Sequence, residues 1–197
     1  MILLVLALVA LVVIGVLLAK RRRAAPAEPA SEPVDPFNSA DVDALRGDPR
    51  TLRPGAIVEI RGESYSVRGS LRLTEESWSW DEHFLDNATG RRAWLSVEED
   101  PELELVLYTT LPDATVQPGK TIELEGRTYR HQESGTARFR AEGTTGLDTE
   151  GTVHYQDYAA GDDGRLALES YGEGGKWEVS RGEVLSRYEV RIYPAAQ

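Results

Sequence analysis

The sequence predicts an all-β fold, with two related β modules in tandem after an N-terminal transmembrane helix. The first observation is a repeat: Leu52–Ser70 returns as Val116–Ser134 with six identities in a gap-free alignment, where chance gives roughly one. The second is the alternation of apolar and polar residues in many short segments between turn residues, with almost no helical period. Since a module of about 60 residues is marginal alone, we expect two small barrel or sandwich lobes that pack together.

The two modules are expected over residues 50–112 and 113–197, and each begins with a β-hairpin. In each hairpin a glycine, Gly62 or Gly126, follows a charged residue at the turn, which suits a two-residue turn with positive φ. Such a turn fixes the register of the two strands. The pairs expected to face each other are Ile60 with Glu63, Val58 with Tyr65, and Ile122 with Tyr129.

Residues 1–23 are expected to form a membrane anchor. Ile2–Ala19 is an unbroken apolar run, and as a helix it would rise about 27 Å, just enough to cross the hydrocarbon core. The positive charge follows the run, which argues against a signal peptide and places the rest of the chain on the cytoplasmic side of the cell membrane. The residues expected to contact anionic headgroups are Lys20, Arg21, Arg22 and Arg23.

Residues 24–49 are expected to be a spacer between the anchor and the β modules. Prolines lie there among Ala, Glu and Ser, a composition that cannot bury apolar surface and favours an extended chain. Near its end, Ser39 is expected to cap a short helix over Ala40–Arg46, which Gly47 would end.

Composition excludes some functions and favours others. The net charge is −11, and 18 basic residues against 33 acidic ones follow the anchor, which leaves −15 after Arg23. So negative a surface repels phosphate backbones, and we expect no nucleic-acid binding. It attracts cationic partners, although solubility alone is the blander explanation. The chain has no cysteine, which excludes disulfides and thiolate chemistry.

One expected strand of the first module carries the best candidate binding surface. It places Trp78, Trp80, Glu82 and Phe84 on one face and His83 on the other. Aromatic rings beside a carboxylate are what an amine-binding site needs, although tryptophans on one strand face more often pack in a core. The candidate ligand- or partner-binding residues are Trp78, Trp80, Glu82, His83, Trp94 and Glu98.

No metal, cofactor or catalytic group is expected. His83 and His154 each precede an aspartate by three residues, which raises the idea of a metal site or an acid–base dyad. Residues three apart on a strand point to opposite faces, and zinc needs three or four ligands, so structural histidines are favoured. The acidic run Glu98–Glu104 lacks the spacing of an EF-hand. Because nucleophile and phosphate-loop motifs are missing, we expect a protein that is not an enzyme.

Four short motifs occur in a fixed order along the chain. They are Leu52-x-x-Gly55, Gly62-x-x-Tyr65-x-Val67-x-Gly69, Trp80-x-Glu82-His83-x-Leu85, and Trp94-Leu95-x-Val97-Glu98-x-Asp100-Pro101. Together they resemble the bacterial family called domain of unknown function 4178 (DUF4178), from about Pro36 to the C-terminus. The resemblance implies no activity and no catalytic residues. It implies a genomic neighbourhood of small membrane proteins and relatives of polyamine aminopropyltransferases.

The sequence therefore suggests a single-pass protein of the cell membrane whose cytoplasmic β region binds or scaffolds other membrane proteins. The alternative is a sensor or binder of a small cationic ligand such as a polyamine, for which the acidic charge and the Trp78–Glu82 strand argue. A third idea, a hydrolase that uses His83 with Asp81 or Glu82, ranks last because a nucleophile and oxyanion donors are missing.

Overall fold

The computed structural model describes residues 45–161 and 163–195, all within one compact unit, Ser39–Gln197. The described residues form eleven β-strands and two short 3₁₀ helices, so the predicted all-β class is confirmed. The strands are β1 Ile57–Ile60, β2 Glu63–Glu75, β3 Trp78–Asp86, β4 Arg92–Glu99, β5 Leu103–Thr110, β6 Thr121–Leu124, β7 Arg127–Gly143, β8 Glu150–Ala160, β9 Gly164–Tyr171, β10 Glu178–Leu185 and β11 Val190–Tyr193. The 3₁₀ helices are Pro49–Thr51 and Arg187–Glu189.

Eight of these strands close into an antiparallel barrel in the order β2-β3-β4-β5-β10-β9-β8-β7, and a β7–β2 pairing completes the ring. Closure depends on β2, which changes its partner along its length. Its first residues pair with β1, and Gly69–Thr74 then pairs with β7. A bulge between Val67 and Gly69 lies at this change of partner, where bulges typically bend a strand and increase its twist.

The remaining three strands lie outside the ring, as extensions of β2 and β7. The pair β1–β11 continues the sheet from β2, and β6 continues it from β7. Both predicted hairpin registers are confirmed: Val58 lies opposite Tyr65, and Ile122 lies opposite Tyr129. The turns work as expected because both central residues take positive φ, 50° and 84° in the first hairpin and 50° and 78° in the second.

Two of the three apolar clusters lie outside the barrel wall. One lies between β3–β5 and the β1–β11 extension and includes Leu85 and Leu95, both 0% exposed. The second lies between β8–β10 and β6 and includes Leu166 and Leu168. Each extension thus covers an apolar outer face that would otherwise meet water, and this burial is a main source of stability. The third cluster lies inside the barrel; its buried members are Leu71, Leu73, Ala137, Phe139 and Val153.

The structure does not show the two lobes expected from the sequence. Strands from both predicted modules enter one ring, joined by the β5–β10 and β2–β7 pairings. The physical reason is the marginal core of a short module, because one shared barrel satisfies the edges of both sets of strands.

Several sequence-based expectations lie outside the described residues. These include the anchor Ile2–Ala19, the basic residues Lys20–Arg23 and nearly all of the spacer. Only Leu45 and Arg46 of the expected short helix are described, and Gly47 follows with a φ of 77°. Within the described ranges, no helix is both long and apolar enough to cross a membrane.

Candidate functional site

The inside of the barrel, here called the lumen, contains a cavity of about 610 Å³. Seven of the eight barrel strands contribute side chains to its wall. An eight-stranded barrel is wide enough to hold one small ligand when its side chains leave the middle open. The volume is in the range of ordinary ligand pockets.

Five of the six candidate residues line this cavity: Trp78, Trp80, Glu82, Trp94 and Glu98. On β3 the alternation of side chains turns the even-numbered residues inward, as expected. The indole of Trp78 donates a hydrogen bond to Glu98 Oε1 at 3.0 Å, and that of Trp80 donates to Glu82 Oε1 at 3.2 Å. The structure therefore combines residues of β3 and β4 into one aromatic and acidic wall.

The sixth candidate, His83, lies on the opposite face of β3 and does not join the other five. It is 0% exposed, and its Nδ1 lies 2.8 Å from the Ser70 hydroxyl. Its Nε2 has no hydrogen-bond partner among the described residues. Burial, with a further contribution from Arg72, lowers the pKa of His83 to about 3. The ring is therefore neutral at physiological pH, and its position favours a structural role.

The lumen also contains residues that sequence reasoning missed. Asp157 on β8, Glu169 on β9 and Tyr108 on β5 all line the cavity. An alternation signal was present, since Tyr155 and Asp157 share a face of β8. That signal was not distinctive, because acidic residues in alternating strands usually face solvent.

Aromatic rings form much of the rest of the wall. Trp80 meets Tyr155 edge-on with ring centres 5.5 Å apart, and the ring centre of Phe84, which does not line the cavity, lies 5.1 Å from that of Trp94. The Tyr155 hydroxyl donates to Glu75 Oε2 at 2.5 Å, which ties β8 to β2 across β7. These contacts hold the rings in fixed positions around the open space.

A glycine makes room for the ring of Tyr108. Gly182 on β10 lies directly opposite Tyr108, and a Cβ there would be 2.4 Å from Tyr108 Cε1. Any larger residue would push the ring out of its place. Burial raises the pKa of Tyr108 well above its usual value, so the hydroxyl stays protonated and is available to donate a hydrogen bond.

The carboxyl groups of the lumen are strongly perturbed. Burial raises the pKa of Glu82 to about 7 against the opposing hydrogen bond from Trp80, and the charges of Asp157 and Glu98 add to the rise. Burial, followed by the charge of Glu169, raises the pKa of Asp157 to about 8. The pKa of Glu169 also rises well above its usual value, first through burial and then through Glu82. The surface that these groups keep faces the cavity.

Positive charge is scarce at this site. Arg165 is the one cationic side chain among the described residues of the cavity wall, and it pairs with Glu104 at 2.8 Å. The salt bridges found among the described residues do not include the five other carboxylates of the wall: Glu82, Glu98, Glu133, Asp157 and Glu169. Within the described ranges, no three His, Asp or Glu side chains are grouped so that they could hold a metal ion.

The arrangement suits recognition of a cation by carboxylates and ring faces. Ammonium groups bind ring faces within about 6 Å, with a gain of about 0.5–2 kcal/mol that is largest where water is excluded. A charge-assisted hydrogen bond to a carboxylate contributes about 1.5–3 kcal/mol. An anionic ligand would meet repulsion from each ionised carboxylate of the wall.

Comparisons with known proteins identify relatives without assigning a function. The family model described as "Domain of unknown function (DUF4178)" matches residues 53–187. The uncharacterized protein Mb2628 of Mycobacterium bovis is 37% identical over 153 residues, which is 75% of this chain and 74% of that protein. The uncharacterized proteins MT2673 and Rv2597 of Mycobacterium tuberculosis match to the same extent. No solved structure shows a significant match.

Proposed function

The chain belongs to the DUF4178 family, and we propose that its barrel binds a small organic cation, such as a polyamine, in the lumen. One observation carries the proposal: the cavity inside the barrel combines three tryptophans with five carboxylates that form no salt bridge among the described residues, Glu104 alone of the wall's carboxylates being paired with an arginine. The role is binding rather than catalysis. In this proposal the anchor expected over Ile2–Ala19 holds the barrel at the cytoplasmic face of a membrane.

The energetic argument starts from the cost of enclosed negative charge. A buried carboxylate is unfavourable unless it is paired, hydrogen-bonded or protonated. Glu82 accepts one indole hydrogen bond, and no hydrogen bond to Asp157 is found among the described residues. A bound ammonium group would supply the missing positive charge and several N–H donors at once.

The aromatic wall adds selectivity for an organic cation. Trp78, Trp80 and Trp94 offer apolar surface that suits the methylene chain of an alkylamine. A bare inorganic cation has no apolar segment to bury against that surface. The lumen therefore matches a ligand with ammonium groups joined by short apolar segments.

Scaffolding of membrane proteins is the second candidate, and a feature outside the lumen favours it. Ile57 and Tyr193 lie opposite each other on β1 and β11, and both are more than 40% exposed. A partner could cover this apolar pair without entering the barrel. Crosslinking of the membrane-inserted full chain, with an Ile57→Lys variant beside it, tests this role, because loss of a specific partner in the variant would support it.

Titration of the full-length protein with spermidine tests cation binding directly. The four tryptophans of the chain provide the signal, with calorimetry as the second measurement, at 150 mM salt. We expect saturable binding with one ligand per chain. Calcium chloride and sorbitol, as an inorganic cation and a neutral organic molecule, should not compete.

Matched variants locate the binding site. Glu82→Gln should weaken spermidine binding by about 10- to 100-fold, because it removes a charge-assisted hydrogen bond. Glu123→Gln is the control, since Glu123 is an exposed residue of β6 that bonds Thr128 on the surface. Binding that salt abolishes equally in both variants would show nonspecific attraction and contradict the proposal.

A further inference from the structure

Three carboxyl groups inside the barrel indicate how the empty site neutralises its own negative charge. We propose, building on cation binding in the lumen, that Glu82, Asp157 and Glu169 hold protons when the lumen is empty and release them when an ammonium group enters. The site would then exchange protons for its ligand. The three residues are called the carboxyl cluster below.

The carboxyl cluster comes from strands that closure of the barrel brings together. In the ring of eight, β3 and β9 are separated by three strands on either side, so Glu82 and Glu169 project from opposite walls. Asp157 projects from β8, next to β9, and Tyr108 from β5. Each of the three carboxyl groups feels the charge of at least one of the others. The barrel therefore confines several acids in one small space.

The other ionisable groups around the carboxyl cluster are mostly acidic as well. The carboxylates that face it from neighbouring strands are Glu75 on β2, Glu98 on β4, Glu104 on β5, Glu133 on β7 and Glu178 on β10. The hydroxyls are those of Tyr108, Tyr155 and Tyr171. The cation is Arg165, which Glu104 engages, and behind β3 Asp81 pairs with Arg72 at 2.5 Å.

Protons are the available means of neutralising this space when no ligand is bound. Burial disfavours the ionised form of each carboxyl group, and neighbouring carboxylates disfavour it further. The pKa values of Glu82 and Asp157, near 7 and 8, leave Asp157 mostly protonated and Glu82 about half protonated at pH 7. The empty cluster is thus close to neutral, although its residues are acids.

A bound ammonium group reverses this balance. Its positive charge favours the ionised carboxylates, so a proton leaves the carboxyl cluster for solvent as the ligand enters. Each ammonium group that pairs with a protonated carboxyl group brings one positive charge and displaces one proton, and no bond other than O–H is broken. The ligand class narrows accordingly to amines whose N–H groups can replace the lost protons as hydrogen-bond donors to the carboxylates.

Calorimetric titration of the full-length protein with spermidine at pH 7 measures this exchange. The titration is done in phosphate and in HEPES, two buffers that differ in their heat of ionisation and are not organic cations of net positive charge at pH 7. We expect the observed heats to differ by an amount that corresponds to release of roughly one proton per bound ligand. We also expect the affinity to rise by up to about tenfold per pH unit from pH 6 to 8, as the carboxyl cluster ionises.

Two variants of the carboxyl cluster and one surface control test whether these residues release the protons. Asp157→Asn should reduce the number of protons released, and Glu82→Gln serves the same purpose if the first variant does not fold. Glu123→Gln should release as many protons as the wild type. Equal heats in the two buffers with binding intact would overturn proton exchange and leave cation binding standing. Absence of saturable binding in either buffer would overturn both.

Discussion

Two cavities of similar volume carry opposite charge arrangements. An outer groove of about 640 Å³ lies between the two hairpin turns, and four arginines and four carboxylates line it. The lumen, of about 610 Å³, has six carboxylates and one arginine among its described residues. The ion pairs of the groove are Arg61–Glu183, Arg91–Glu63 and Arg181–Glu125.

The comparison shows that the chain does not lack arginines to pair with its acids. It places them on the outside, where water already screens a carboxylate and an ion pair contributes little. It leaves acids without such partners inside, where burial makes an isolated charge costly. Acids without cationic partners in a buried space lower stability, and such an arrangement is typical of a functional site rather than of a structural core.

The largest effect that we expect from the unpaired carboxyl groups of the lumen is on the pH dependence of stability. The folded-state pKa values of Glu82 and Asp157 are raised to about 7 and 8. Their contribution to stability is therefore full below the unfolded values near 4 and is lost as pH rises through 7 to 8. We expect the free energy of unfolding to fall by several kcal/mol between pH 5 and 8.5, because each pH unit between the unfolded and folded values contributes about 1.4 kcal/mol per carboxyl group.

Thermal unfolding of the ligand-free full chain across this range provides the measurement. The outer carboxylates act in the opposite direction, since arginines lower the folded-state pKa of Glu183 and Glu189. Their stabilisation is lost only as pH falls below the unfolded value near 4.3, outside the window. Asp157→Asn should flatten the curve. A melting temperature that rises from pH 5 to 8.5 would contradict the description of the lumen.

A lysine placed in the lumen should give its carboxylates a cationic partner, as the carboxylates of the outer groove already have. Ser96 lies directly opposite Glu82 on β4 and lines the cavity. Ser96→Lys should place an ammonium group where the ligand is proposed to bind. We expect spermidine affinity to fall by about 100-fold, corresponding to one charge-assisted pair that is no longer available, and we expect the pH dependence of stability to weaken.

Ser96→Met is the matched control for that experiment. It has a similar unbranched length without the charge, so it separates filling of the cavity from neutralisation. We expect it to reduce affinity less and to leave the pH dependence unchanged. Identical behaviour of the two variants in both measurements would show that charge is not what the lumen recognises.

Local chemistry explains which parts of the fold the sequence predicted. The register of each hairpin follows from a two-residue turn, so Val58 opposite Tyr65 and Ile122 opposite Tyr129 could be predicted without knowledge of the rest. Closure of the barrel could not, because it depends on pairings such as Leu73 with Phe139 between segments far apart in the chain. Alternation within one strand carries no information about such a partner.

The same limit applies to the candidate site. Alternation showed that Trp78, Trp80 and Glu82 share a face of β3, and the structure agrees. It could not show that this face lines a lumen, since the apolar face with Leu85 lies outside under the β1–β11 extension. Nor could it show that Asp157 lies in the same space, because β8 meets the cavity only after the ring has closed.

The smallest effect is expected from the outer ion pairs, and it completes the comparison. Arg61 contacts Glu183 at 3.0 Å, with side chains 44% and 55% exposed. A double-mutant cycle with Arg61→Gln and Glu183→Gln should give a coupling free energy below about 1 kcal/mol in thermal or denaturant unfolding. Spermidine affinity should change less than twofold in each variant, because neither residue lines the lumen. A coupling above about 2 kcal/mol would mean that the outer pairs are not weakened by solvent, and the contrast between the two cavities would then reflect stability rather than ligand binding.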